Sequence, residues 1–164
     1  MSVRVIALGS AMSRDDGAAL AAARALEGEP GATIVLAGRP GPGLLDLLAP
    51  GAPVVLLDAV RGGAAPGEIV ELSLDALARA AVANDAVSSH GLGVASALRL
   101  GIALGRALPP GRFVGIGGAR FEPGEALSPE VAAALPRMIE AARAAVAALR
   151  EAAQANRGLG PERA

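Results

Sequence analysis

The sequence predicts an α/β fold built on a mixed five-stranded sheet. Short runs of aliphatic and β-branched residues alternate with segments whose apolar residues recur at helical spacing, and this alternation is typical of a sheet covered by helices. A length of 164 residues fits a single domain with its own core. We expect that domain over residues 1–155 and a frayed tail over 156–164, where glycine and proline follow Asn156.

Five short runs predict strands, because they are rich in Val, Ile and Leu and are bounded by Gly, Pro or Asp. In chain order they are residues 3–8, 33–36, 53–57, 68–72 and 113–116. The Gly/Pro-rich turn at residues 61–67 is too short for a helical crossover. We therefore expect the third and fourth strands to be antiparallel neighbours.

Five segments predict helices, because apolar residues recur every three or four positions along them. The first opens at Asp15 or Asp16, and the others cover residues 44–48, 74–82, 93–108 and a long stretch that begins at Ser128-Pro129. Pro136 is expected to kink the last helix. The predicted inward stripe of the helix at 93–108 consists of Val94, Leu98, Ile102 and either Leu104 or Gly105.

The composition excludes several kinds of chemistry. The chain has no Cys, which excludes disulfides, a thiolate nucleophile and a Cys-based zinc site. All 15 of its basic side chains are Arg, so a Schiff-base lysine is excluded as well. A net charge of −1 and the lack of Trp and Tyr argue against nucleic-acid and membrane partners. With no apolar run that could span a bilayer and no export signal, we expect a cytoplasmic protein.

Acidic residues and the single histidine are predicted to converge at one edge of the sheet. Asp15 and Asp16 follow the first strand, Asp58 follows the third, and the segment after residue 73 returns His90 to the same edge. Ligands of open α/β sheets bind outside the carboxyl ends of the strands. Two carboxylates and an imidazole with an open position suit a divalent ion such as nickel, zinc or iron.

Each of these residues also has a simpler structural interpretation. Asp15 and Asp16 are typical N-cap and first-turn acids of a helix, and Asp58 could be a turn or cap residue at a strand end. His90 could lie at a helix start or in solvent. Residues 115–118 are Gly-rich, but they lack the GxGxxG pattern and a following helix that would indicate a phosphate loop.

Four segments of the chain, in order from residue 3 to about residue 148, resemble the hydrogenase maturation proteases. They are the first strand with Gly9-Ser10 and Arg14-Asp15-Asp16-Gly17; residues 54–60 with Pro66-Gly67; Ser88-Ser89-His90-Gly91-Leu92-Gly93 with Leu98; and residues 114–116 with Phe121-Glu122-Pro123-Gly124 and residues 127–131. One position departs from the family pattern, since Ser10 stands where the family usually has Asn. Ser can still form a hydrogen bond there, so we expect an adjusted loop.

The resemblance implies a three-layer α/β/α fold with a twisted sheet and an endopeptidase activity. Family members trim the C-terminus of the large-subunit precursor of nickel–iron hydrogenases. The resemblance also implies that Asp16, Asp58 and His90 contact nickel already inserted in that precursor, with no tightly bound cofactor in the protease itself. Asp16 becomes the first candidate for a general base. The loop residues that would surround the substrate are Gly9, Ser10, Asp15, Gly17, Ser89 and Gly91.

Several alternatives remain open at this point. The chain could be a non-cleaving, nickel-sensing chaperone of the same fold, or a different α/β hydrolase. No HExxH motif for a zinc protease is present, and a Ser–His–Asp triad could be built only on Ser88, Ser89 or Ser10. Whether the protease is aspartic-type or metal-dependent is left open by the sequence, as is its oligomeric state.

Overall fold

A five-stranded mixed sheet forms the centre of the computed structural model, which describes residues 1–48, 51–80 and 93–158. The spatial order is β2-β1-β3-β5-β4, with β4 antiparallel to β5 and the other pairs parallel. The strands are β1 (Val3–Leu8), β2 (Ala32–Gly38), β3 (Val54–Val60), β4 (Ile69–Ser73) and β5 (Gly111–Gly117). The predicted fold class is confirmed.

Helices cover both faces of the sheet. They are α1 (Ala18–Ala25), α2 (Leu44–Leu47), α3 (Leu74–Ala80), α4 (Val94–Ala103) and α5 (Pro129–Gly158), with 3₁₀ turns at Arg14–Gly17 and Gly41–Gly43. Alternate residues of a strand point to opposite faces. In β3, Val55 and Leu57 pack with α1 and α5, whereas Val54 and Leu56 pack with α2, α3 and α4. This is the predicted three-layer arrangement.

The expectation that β3 and β4 are neighbours is wrong. Their orientation is opposite, as expected, but β5 lies between them and pairs with both. The turn between β3 and β4 spans the end of β5: the Gly67 N–H donates to the Gly117 carbonyl at 2.8 Å, and the Gly117 N–H donates to the Glu68 carbonyl at 2.8 Å. A short connection therefore joins two strands, β3 and β4, that are separated in the sheet by β5. The separating strand comes later in the chain.

The predicted stripe of α4 is rotated relative to the observed one. Ile102 and Leu104 are exposed, and the buried side is formed by Ala95, Ala97, Leu98 and Gly101. Small residues face inward because α4 lies close to α2: a Cβ on Gly101 would lie 2.7 Å from Leu45 Cδ2.

The helix α4 also ends earlier than predicted. Gly105 has φ +74°, its N–H donates to the Ile102 carbonyl, and the Arg106 N–H donates to the Gly101 carbonyl. This is a Schellman cap, which stops the helix at a left-handed glycine. Gly105 is therefore the residue that ends the helix, and not part of its inward stripe.

The last helix begins at Pro129, as predicted, and contains Pro136. It continues through Gly158, so Asn156 is helical where a frayed tail is predicted; residues 159–164 lie outside the described part of the chain. Among the described helices, including this one of 30 residues, none combines the length and apolar character needed to cross a bilayer.

The crossing of the β3–β4 turn over β5 can be tested at Gly117. A Cβ there would lie 2.0 Å from the Ala65 carbonyl oxygen, so we expect Gly117→Ala to lower the free energy of unfolding by about 1–3 kcal/mol. Gly158→Ala is the matched control, because a Cβ on Gly158 would meet nothing within 4 Å. Chemical denaturation measures both variants, and equal stability of the two would contradict the observed crossing.

Candidate active site

The loop after β1 folds tightly back on itself. Gly9 has φ +119°, and a Cβ at this position would lie 2.0 Å from the Asp16 carbonyl oxygen. Only glycine fits such a left-handed conformation with a backbone atom so close. Gly17 is also buried, and a Cβ there would lie 3.0 Å from Ala11 Cα. These contacts hold the turn Arg14–Gly17 at the carboxyl end of β1.

Asp15 is fully buried and accepts four hydrogen bonds from distant parts of the chain. Its Oδ2 accepts from the Ala119 N–H, the Arg120 N–H and the Ser128 hydroxyl at 2.8, 2.8 and 2.7 Å, and its Oδ1 accepts from the Ser128 N–H at 2.7 Å. Burial by itself raises the pKa of Asp15, but these hydrogen bonds outweigh it and the pKa is lowered. Asp15 is thus an ionised anchor between β1 and the segment after β5.

Backbone hydrogen bonds join the same two segments. The Arg14 N–H donates to the Gly124 carbonyl at 2.8 Å, the Gly124 N–H donates to the Met12 carbonyl at 2.9 Å, and the Asp15 N–H donates to the Arg120 carbonyl at 3.0 Å. The loop after β1 is therefore fixed against the loop after β5.

Asp16 points to a different set of partners from its neighbour Asp15. Its Oδ2 accepts from the Ser10 N–H at 2.8 Å and from Arg39 Nε and Nη2 at 3.0 and 2.6 Å. Within the described residues no hydrogen bond reaches Oδ1. The side chain is 15% exposed. Asp16 therefore has one oxygen held by donors and a second oxygen to which no described residue donates a hydrogen bond.

The N-cap part of the helix interpretation is wrong, whereas the first-turn part is confirmed, because Asp15 and Asp16 lie in the first turn of the 3₁₀ segment Arg14–Gly17. The capping positions of the 3₁₀ turn and of α1 are Ser13 and Gly17, and neither makes a side-chain cap hydrogen bond. Both carboxylates instead bind groups outside their own helix, Asp15 at the loop after β5 and Asp16 at Ser10 and Arg39.

Asp58 lies within β3, two residues before its end, and is half-buried. It is therefore a strand residue and not a turn or cap residue; its register partner is Gly115 of β5. Burial and then the charge of Asp16 raise the pKa of Asp58 to about 7, against the opposing effects of the Ala59 N–H and Arg39. Asp16, Asp58 and Arg39 are thus close enough to interact by charge, and we call them the carboxylate site.

Three of the predicted site residues, Ser89, His90 and Gly91, lie outside the described residues. Over the ranges 1–48, 51–80 and 93–158, no group of three or more His, Cys, Asp or Glu side chains is placed to hold a metal ion. Ser10 lies at the site through its backbone N–H, while its hydroxyl accepts from the Met12 N–H at 3.3 Å.

Sequence reasoning missed Arg39. The Gly/Pro loop after β2 contains no motif, and its interpretation as a plain connection left out the arginine. The available signal was its position: Arg39 directly follows β2, whose carboxyl end lies beside that of β1 in a parallel pair.

The fold and the carboxylate site define an α/β protein with acidic residues at the carboxyl edge of its sheet, and comparison with known proteins gives its family. The model of the HycI hydrogenase maturation protease family matches residues 19–145, a segment that begins just after Asp16. The chain therefore belongs to the hydrogenase maturation protease family and is an endopeptidase.

Solved structures agree with this assignment. The hydrogenase maturating endopeptidase HybD from E. coli superposes with a TM-score of 0.75 at 27% identity, over 93% of this chain and 94% of that one. The [NiFe] hydrogenase maturation protease HybD from Thermococcus kodakarensis gives 0.69 at 30% identity, over 89% and 99%. No match was found among curated protein sequences.

The anchoring role of Asp15 can be tested with Asp15→Asn. The asparagine amide has a single acceptor oxygen, and its NH₂ group would face a buried N–H or O–H donor with which it cannot form a hydrogen bond. We therefore expect the free energy of unfolding to fall by about 2–4 kcal/mol at pH 7. Because the folded pKa is lowered, the stabilisation by the ionised carboxylate is complete above the unfolded pKa near 3.8 and is lost as the pH falls from there through the lower folded pKa, so the loss caused by the substitution should shrink in that acidic range. Denaturant titrations between pH 3 and pH 8 measure the difference.

Asp46→Asn serves as the control for this variant, since Asp46 is 83% exposed and makes only a long ion pair of 3.6 Å. It should change stability by less than about 0.5 kcal/mol. An Asp15→Asn protein as stable as this control would contradict the anchoring role.

The raised pKa of Asp58 gives a pH dependence of opposite sign. The pKa is near 3.8 in the unfolded chain and about 7 in the folded one, so the folded state binds the proton more tightly and stability from this group falls as the pH rises between these values. Asp58→Asn removes the effect. We expect it to match the wild type near pH 4 and to exceed it by on the order of 4 kcal/mol at pH 8, in metal-free buffer.

Asp75→Asn is the matched comparison, because Asp75 is 61% exposed in a surface ion pair with Arg79. A stability gain for Asp58→Asn that is the same at pH 4 and pH 8 would show that Asp58 is not held in its protonated form.

Proposed function

We propose that this endopeptidase removes the C-terminal extension of a nickel-loaded precursor of a nickel–iron hydrogenase large subunit, acting in the cytoplasm. The observation that carries the proposal is the carboxylate site, where Asp16 and Asp58 interact at the carboxyl edge of the sheet in a chain of this family. The relatives of solved structure are named as hydrogenase maturation proteases, which supports the choice of substrate.

Nickel in this proposal belongs to the substrate and is recognised by Asp16, Asp58 and His90. Asp16 Oδ1 is free of hydrogen bonds within the described residues and can face a cation. Asp58 is costly to ionise in the free protein, because burial and Asp16 both oppose its charge. A divalent ion removes that cost, so the site gains most from a substrate that brings a cation. His90 is assigned as the third ligand from the sequence alone.

Differential binding of this kind makes nickel a recognition signal. A precursor without nickel would leave Asp58 costly to ionise beside Asp16, and one with nickel would favour the ionised carboxylate. The protease then needs no resident metal, and we expect the purified protein to carry little.

Hydrolysis requires a water to attack the scissile carbonyl carbon while a base takes its proton. A C–O bond forms, the peptide C–N bond breaks, and the departing amine takes up a proton. As an alternative use of the same Oδ1 atom, we propose that Asp16 takes this proton instead of contacting nickel, since Oδ2 is held by Ser10 and Arg39 and no hydrogen bond reaches Oδ1 within the described residues. Gly9, Gly17 and Asp15 hold this carboxylate in position, and Ser10, Ser89 and Gly91 are proposed to border the substrate.

Two variants test the roles of the carboxylates. We expect Asp16→Asn and Asp58→Asn each to reduce processing of the nickel-loaded precursor at least about 100-fold, a typical contribution of a positioned acid or base. A gel shift of the precursor measures cleavage, and co-precipitation measures binding. If the Asp16→Asn variant binds the precursor without cutting it, Asp16 of the wild type acts as the base. If the variant no longer binds the precursor, Asp16 is a ligand.

The controls are Asp75→Asn, which should cleave like the wild type, and nickel-free precursor, which should stay uncut. Full processing by Asp16→Asn would rule it out as base and ligand. Binding of nickel-loaded precursor by the wild type without cleavage would favour the nickel-sensing chaperone.

A further inference from the structure

A single arginine supplies the counter-charge of the carboxylate site. Arg39 donates through Nε and Nη2 to Asp16 Oδ2, at 3.0 and 2.6 Å. Its positive charge also acts on Asp58, where it favours the ionised carboxylate. The side chain is 49% exposed, so it reaches the site from the solvent side. One guanidinium therefore interacts with both acids.

Other arginines at this edge of the sheet have partners of their own. Arg14 and Arg120 both pair with Glu122, and the Arg61 guanidinium lies 4.2 Å from the centre of the Phe121 ring. Within the described residues, the guanidinium hydrogen-bonded to Asp16 is that of Arg39. The charge on the site can therefore be changed by substitution at one position.

We propose that Arg39 determines the specificity of the site by excluding free divalent cations. This inference rests on the proposed function and adds to it which form of the metal the site accepts. A free divalent ion, which carries only water ligands, has two full positive charges and must approach the guanidinium of Arg39 that is bound to Asp16. A nickel ion already held by ligands of a partner protein arrives with part of its charge neutralised and meets less repulsion from Arg39.

The choice of arginine fits this role. Its guanidinium stays protonated at every physiological pH, so the repulsion cannot be relieved by loss of a proton, as it could be at a lysine with a lowered pKa. The contact of two nitrogens with one oxygen leaves Asp16 Oδ1 without a hydrogen bond from the described part of the chain. Arg39 therefore opposes a free ion without occupying the oxygen that a substrate-bound metal would use.

The test is titration of the metal-free, full-length protein with nickel chloride by calorimetry. We expect Arg39→Gln to bind free nickel at least about 10-fold more tightly than the wild type, because the repelling charge is gone. Arg39→Lys keeps the positive charge but lacks the two nitrogens that bind Asp16 together. Its affinity for free nickel should therefore stay as low as that of the wild type. Arg61→Gln removes a charge at the same edge without touching Asp16 and should not change nickel affinity. Thermal unfolding checks that all variants are folded.

A second readout is inhibition of cleavage by free nickel. In Arg39→Gln, cleavage of nickel-loaded precursor should be inhibited at about 10-fold lower nickel concentration than in the wild type, and adding Asp16→Asn should abolish the gain in nickel affinity. Unchanged or weaker nickel binding by Arg39→Gln would overturn the inference and leave Arg39 as a residue that only positions Asp16. Equally weak binding of free nickel by Arg39→Gln and Arg39→Lys would also overturn the inference.

The two proposals fail separately. If Arg39→Gln gains no affinity while Asp16→Asn still abolishes precursor cleavage, the exclusion role is wrong and the proposed function stands. If the wild type leaves the loaded precursor uncut while Arg39→Gln gains nickel affinity through Asp16, the proposed cleavage is wrong and the role of Arg39 in excluding free cations stands.

Discussion

The arrangement of the site depends on the buried carboxylate of Asp15. A charged group without water contact is stable only when its lone pairs are satisfied, and here the donors come from residues 119, 120 and 128, more than 100 positions away in the chain. Because all four hydrogen bonds must form together, the loop after β1, the loop after β5 and the start of α5 are fixed relative to one another. Asp16, the next residue in the same turn, is thereby held in position as well.

Two adjacent acids thus have opposite electrostatic roles. Asp15 is surrounded by donors that favour its charge and fix its geometry. Asp16 instead interacts by charge with Asp58, whose pKa is raised first by burial and then by the charge of Asp16. The first carboxylate stabilises the free protein, and the second belongs to the site that is proposed to meet the nickel of the substrate. This division separates the residue that builds the site from those that use it.

The sequence predicted the five strands, the class of fold and the presence of Asp16 and Asp58 at one edge, because strand periodicity and chain direction determine these features. It did not predict the partners of Asp15 or Arg39, which are contacts between segments far apart in the chain. The same limit explains the error at β4, since the turn at residues 61–67 is compatible with a neighbouring strand until β5 is placed between. In α4, apolar periodicity favoured Ile102, but close approach to Leu45 selected glycine for the buried side.

Topology explains why the acids of β1 and β3 meet. The two strands are parallel neighbours at the centre of the order β2-β1-β3-β5-β4. The chain leaves β1 through α1, on one face of the sheet, and leaves β3 towards β4, α3 and α4, with both helices on the other face. Connections that diverge in this way leave an opening between the strand ends, where ligands of open α/β sheets bind. Arg39 directly follows β2, the neighbour of β1 on its far side, and reaches Asp16 from there. In the proposed function a cation at this edge would meet Asp16 and Asp58 together with the charge of Arg39, which directly follows β2, so the strand order brings the acids and their counter-charge to one place.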